Sequence, residues 1–140
     1  MHEQAKLGWK TIHVTGIKHI NPQAEEEIHD NLKFYRTENK SKLLSRIPII
    51  NQLYVIRSLQ KRVADVIERE KPDIIHAHSP CLNGIAAINA AKKFSIPVVY
   101  ERRASWEDAA VEHGTTTEGS LRYRLTRALE TFVFKRVHGI

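Results

Sequence analysis

The chain has 140 residues, 41% of them hydrophobic and 27% charged, and 22 Lys and Arg against 16 Asp and Glu give a net charge of +6. That is the length and composition of one ordinary globular domain with enough chain for a core. The lone Cys81 excludes an intrachain disulfide and a cysteine-based zinc cluster. No apolar run approaches the ~18 residues of a membrane span, and "MHEQAKLGWK" lacks the apolar core of a signal peptide. The expected compartment is the cytoplasm.

The first expected strand is "WKTIHVTG", alternating and β-branched up to Gly16. Ahead of it, "MHEQAKL" reads as the last turns of a helix stopped at Gly8. A helix tail feeding a core strand suggests that the natural N-terminus of the domain is missing. "KHINPQAEEEIHD" reads as a loop, "LKFYRT" as a short edge strand and "NKSKLLSRIP" as a second loop. A long amphipathic helix is expected from Ile49 to Arg69. Leu53, Ile56, Leu59, Val63, Val66 and Ile67 form its apolar stripe, Arg57, Lys61, Arg62 and Arg69 its polar face, and Pro72 ends it.

"PDIIHAH" follows as a short strand, then a helix through "LNGIAAINAAKKF" with Ser79 as N-cap and Pro80 as first helical residue. "IPVVYE" is the next strand. The last helix is expected from Glu118 to about Arg136, entered through a Thr115–Glu118 capping box. Its core stripe would be Leu121, Leu125, Ala128, Leu129, Phe132 and Val133. "VHGI" resembles the opening of a further strand. Alternation of apolar strands and helices with short joints predicts an α/β domain, a Rossmann-like doubly wound parallel sheet trimmed at both ends.

In such sheets ligands bind beyond the carboxyl ends of the strands, which here are Thr15–Gly16, His76–Ser79 and Glu101–Asp108. "HAHSP" places His76 and His78 on the same face of one strand, directly before a helix N-terminus. They are either packed histidines bonded to backbone or part of a site. A metal site is a further reading and needs a third ligand, Glu101 or His113. In "YERRASWED", Glu101 and Arg103 leave the strand together. They form either a structural ion pair or, with Trp106, Glu107 and Asp108, a sugar-binding lip of aromatic face and carboxylates. The Gly- and Thr-rich "HGTTTEGS" lacks the spacing of a phosphate loop. The basic faces Arg57/Lys61/Arg62 and Arg122/Arg124/Arg127/Lys135 are either solvated or touch an anionic membrane, and no nucleic-acid signature is present.

The stretch from "KPDIIHAHSPCLNGIAAINAAKKFSIPVVYERRASWEDAAVEHG" through "EGSLRYRLTRALETFVFKR" resembles the N-terminal half of bacterial family-4 (group 1) glycosyltransferases of the GT-B fold. It is most similar to the exosortase A system-associated subgroup, and "GWKTIHVTGIKH", "LKFYRT" and "IPIINQLYVIRSL" also fit. The resemblance implies two Rossmann-like domains with a cleft between them. The N-terminal one receives a lipid-linked or saccharide acceptor, the C-terminal one grips a nucleotide-sugar, and the anomeric configuration is retained. It carries over Glu101 and Arg103 as catalytic residues, with His76, His78, Ser79, Trp106, Glu107 and Asp108 lining the cleft. Gly84 would let the following helix approach closely.

On that reading the chain is a single, incomplete acceptor-side domain over residues 1–140, inactive alone, from an enzyme of exopolysaccharide synthesis. It would lie in the cytoplasm or against the inner face of the membrane, without a cofactor or metal. The family's first strand with its Gly-rich loop and the donor-binding domain are absent from it. Arg103 stands where many relatives place a histidine. An open edge strand would favour self-association. Two rivals remain: a stand-alone α/β module binding a small anion at the HAHSP/YERR edge, and a basic membrane-surface adaptor.

Overall fold

The computed structural model describes residues 4, 6–17, 24–39, 48–114 and 116–140, and for Pro48, Ile49, Trp106, Glu107 and Ala109 the backbone alone. The chain divides into two compact units, Met1–Arg69 and Glu70–Ile140.

The first unit opens on a helical turn whose end matches the expected stop. Leu7 N–H and Trp9 N–H both reach the carbonyl of Gln4, at 3.1 Å each, and Gly8 supplies the positive φ of 79° that the closure requires. Three strands follow: β1 (Ile12–Thr15), β2 (Glu26–His29) and β3 (Leu32–Arg36). Their order is β1-β3-β2, with β1 parallel to β3 and β2 antiparallel to it. The segment expected as an edge strand is therefore the central one, with Leu32, Tyr35 and Arg36 buried.

Its second neighbour, β2, lies in the segment read as a loop. An acidic run has no apolar alternation to mark it as a strand. It pairs because basic side chains meet its acids. Arg36 Nη2 lies 2.8 Å from Glu27 Oε2, Arg69 Nη1 lies 2.7 Å from Glu26 Oε1, and Arg62 Nη2 donates to the Glu25 carbonyl at 2.6 Å.

Helix α1 (Pro48–Glu70) realises the expected long helix. Its buried face is Val55, Leu59, Arg62, Val66 and Ile67, whereas Leu53 is 54% exposed. The stripe is thus rotated from the one expected, and Arg62 moves from the solvent side to the buried side, where its guanidinium reaches Glu25. Most of the second expected loop, 39–48, lies outside the described residues, as does the start of the first.

The second unit runs β4 (Ile75–His78), α2 (Cys81–Ala91), β5 (Val98–Glu101), α3 (Trp106–Glu112) and α4 (Leu121–Phe134). Strands β4 and β5 are parallel, in the register Ile75↔Val98 to His78↔Glu101. The end of the chain adds a parallel bridge, Val99↔Gly139, as expected of "VHGI". His138 N–H donates to the Val98 carbonyl at 2.7 Å and Tyr100 N–H to the Gly139 carbonyl at 3.0 Å. Ala77, Cys81, Ala87, Ile88, Ala91, Val98, Tyr100 and Val133 form the core between these strands and helices α2 and α4.

Two helix starts differ from expectation. Ser79 does not cap α2; the N-cap is Pro80, without a side-chain bond. Ser79 is held in the strand ladder instead, its N–H donating to the Glu101 carbonyl at 2.9 Å. Helix α4 begins at Leu121 with Ser120 as N-cap, its Oγ accepting from Tyr123 N–H. Thr115, the expected cap, lies outside the described residues.

The α4 stripe is also rotated. Leu121 and Leu125 are 84% and 59% exposed, while Glu130 and Val133 are buried. Val133 packs at Gly84 and Glu130 receives the Tyr100 hydroxyl. The fold is mixed α/β, with parallel pairs β1–β3 and β4–β5, the second joined through α2, of the Rossmann-like class the sequence predicts.

Candidate functional site

Strand pairing brings the site together. In β4 the alternation of side chains puts His76 and His78 on one face, and the parallel register sets His78 beside Glu101, the last residue of β5. The two imidazole rings lie 4.3 Å apart, centroid to centroid. Glu101 Oε2 sits 3.2 Å from His76 Nε2 and 2.9 Å from His78 Nδ1. Its other oxygen, Oε1, accepts from Arg103 Nε at 3.0 Å. All four side chains are reachable from solvent, the histidines at 41% exposure, Glu101 at 44% and Arg103 at 62%.

The backbone beneath them is fixed by polar contacts. Ser79 Oγ accepts from Arg103 N–H at 3.1 Å, holding the residue past the end of β5 against the end of β4. Asn83, one turn into α2, donates from Nδ2 to the His78 carbonyl at 3.1 Å. Sequence alone does not single out Asn83; its signal is an amide five residues after a strand-end histidine.

Electrostatics sort the titratable groups. Glu101 is pulled below its ordinary value, first by the hydrogen bond from Arg103 and further by the Arg103 charge and the neighbouring histidines. His78 is also pulled down, first by burial and then by the nearby His76 and Arg103, against the opposing pull of Glu101. Its Nδ1 is shielded from solvent and lies 2.9 Å from Glu101 Oε2.

Asp108, in α3, accepts from the Tyr123 hydroxyl at 3.0 Å, a tie to α4 that raises the phenol's pKa. Trp106 and Glu107 open α3, and their side chains lie outside the described residues. Gly84 is buried under α4: a Cβ there would stand 2.7 Å from Val133 Cγ1 and 3.1 Å from the Tyr100 ring. Its missing side chain serves the packing of α2 against β5 and α4. His113 is not part of the histidine–glutamate cluster. Thr15 and Gly16 end β1 in the first unit. Among the described residues no helix is long and apolar enough to cross a membrane.

No curated protein and no solved structure matches the chain. The family model of the glycosyl transferase 4-like domain matches it over residues 1–140. A match over the full length, on a fold with parallel strands and connecting helices, identifies it: the chain belongs to the glycosyl transferase 4-like domain family.

Proposed function

We propose that the chain is the acceptor-side domain of a retaining glycosyltransferase that moves a sugar from a nucleotide diphosphate to a lipid-linked or saccharide acceptor in exopolysaccharide synthesis. The specificity would be of the exosortase-associated kind, with the acceptor met in the cytoplasm or at the inner membrane face. The observation that carries this reading is the convergence of His76, His78, Glu101 and Arg103 at the carboxyl ends of two parallel strands. Glu101 is the acceptor for a sugar hydroxyl. A carboxylate held acidic by Arg103 is a weak terminal base; its work is to hold and polarise the hydroxyl. As the acceptor oxygen bonds the anomeric carbon, the bond to the diphosphate oxygen breaks and the electron pair leaves with the nucleoside diphosphate. The departing phosphate takes the proton. Positioning of donor and acceptor supplies most of the rate, so a donor-binding domain is required in addition to this one.

Transfer from a panel of nucleotide-sugars, measured for this chain and for the longest reading frame that contains it, tests the reading. The longer form should transfer and the 140-residue chain should not. In the active form Glu101→Gln should lower kcat/KM about a hundredfold, the scale of a misplaced reactant. Unchanged transfer by folded Glu101→Gln and Arg103→Ala proteins would remove the site assignment. Tight binding of a small anion with transfer by neither form would favour the stand-alone binding module.

A further inference from the structure

The strand-end cluster has a second capability that does not depend on sugar transfer. We propose that His76, His78 and Glu101 bind a divalent transition-metal ion of the zinc class, through two imidazole nitrogens and one carboxylate oxygen, with a further position open to water.

The argument begins with the backbone. Residues two apart on a strand project from one face, and the neighbouring strand lies about 4.8 Å away, so an H-x-H pair beside a strand-end carboxylate places three donors around one point. The register His78↔Glu101 supplies that placement. Each residue offers one ligand atom, and the three lie within 4.8 Å of one another. Two of the separations are 3.2 Å and 2.9 Å. Donors at zinc–ligand distances of about 2.0–2.1 Å in a tetrahedral site stand about 3.3 Å apart, so these two separations need adjustments of only tenths of an ångström, and the third is at most 4.8 Å.

The donor atoms converge on one carboxylate oxygen. His78 Nδ1 is shielded from solvent and faces a carboxylate oxygen at 2.9 Å. Metal binding takes the imidazole in its neutral form, and the ring nitrogen and the carboxylate oxygen then direct two lone pairs toward one point. Arg103 does not occupy that point, because its Nε bonds the opposite oxygen, Oε1. It leaves Oε2 available and orients the carboxylate, as outer partners of metal ligands do. Ser79 and Asn83 hold the backbone on which two of the ligands ride.

Donor chemistry selects the ion class. Two imidazoles and one carboxylate suit zinc, cobalt or nickel, whereas magnesium and calcium prefer all-oxygen sets. Exposure of each ligand at 41–44% leaves a face open to solvent, the arrangement of a site with an exchangeable position rather than a closed structural one.

The test uses the untagged chain, stripped with chelator and titrated with Co(II), read by visible d–d absorption, then by Zn(II) displacement in calorimetry. One ion per chain is expected, displaced by Zn(II) and not by Mg(II). His78→Ala and Glu101→Gln should each weaken binding by about tenfold or more, whereas His113→Ala should leave it unchanged. Circular dichroism establishes that the variants are folded. Absence of the cobalt bands, or bands that persist unchanged in both ligand variants, overturns the proposal. No nucleotide-sugar enters this measurement, so its failure is distinct from a failure of the transfer reading.

Discussion

Gly84 shows how one residue sets the spacing of three elements. Helix α2 passes over the Tyr100 ring of β5 and under Val133 of α4, and a methyl group at Gly84 would meet Val133 Cγ1 at 2.7 Å. That separation forces a shift of a fully buried side chain. Gly84→Ala should therefore destabilise the second unit by about 1–3 kcal/mol, the usual cost of overpacking, even though alanine favours helix. Urea denaturation of Gly84→Ala, Val133→Ala and the double variant checks this: the two changes should be coupled, the smaller side chain at 133 offsetting part of the clash. Simple additivity would mean that the helices separate freely.

At this scale the sequence was partly legible. The pairing of His76 with His78 follows from a period of two, and Glu101 from its place at a strand end. Glu130 was not legible. A glutamate in an amphipathic helix reads as solvent-facing, and here it is 2% exposed, both oxygens within 3.2 Å of the Tyr100 hydroxyl. The tyrosine hydroxyl lies across a strand–helix contact that local pattern does not encode.

Elements are legible where apolar periodicity marks them and not where charge does the pairing. Helix α1 and strands β1, β3, β4 and β5 follow from periodicity; β2 does not, because its acids are met by Arg36 and Arg69 from elsewhere in the chain, with Arg62 on the adjoining Glu25. A local signal for β2 exists in its turn. His29↔Leu32 closes a two-residue connection, and Asp30 and Asn31 both take positive φ, 50° and 61°, the signature of the hairpin turn that matches strand twist. Asp-Asn is a permissible but weak form of it, which is why it passes for an ordinary loop.

The turn makes a prediction of its own. Asn31→Val puts a β-branched residue in the left-handed region and should cost about 1–2 kcal/mol, whereas Asn31→Gly should be neutral or stabilising. Thermal or urea unfolding of the two variants distinguishes them. Equal stability would mean that the hairpin does not contribute to the folded first unit. The rotated stripes of α1 and α4 share one cause. An arginine or glutamate that finds a buried partner displaces a leucine from the inward face, so apolar count alone misplaces the face.

For the whole molecule, strand–helix alternation predicts the fold class but not the division of the strands into a three-stranded and a two-stranded set. Among the described residues no strand pairs with the outer edges of β1 and β4. Their sequences, IHVT and IHAH, carry no carboxylate, lysine, arginine or proline to guard those edges. The edge at β2 is guarded by Glu26 and Glu27. Unguarded edges favour strand addition between copies, and the net charge of +6 opposes it. These two effects respond differently to salt. Backbone pairing is nearly insensitive to it, whereas charge repulsion is screened beyond roughly 8 Å at 0.15 M ionic strength. Self-association should therefore be weak in dilute buffer and grow as salt is added. Sedimentation velocity over a tenfold dilution reads this directly. The average sedimentation coefficient should fall on dilution at high salt and vary little at low salt. A coefficient that stays monomeric throughout would mean that these edges are covered in solution, and a salt dependence of opposite sign would place attraction between charges, not strand pairing, at the contact.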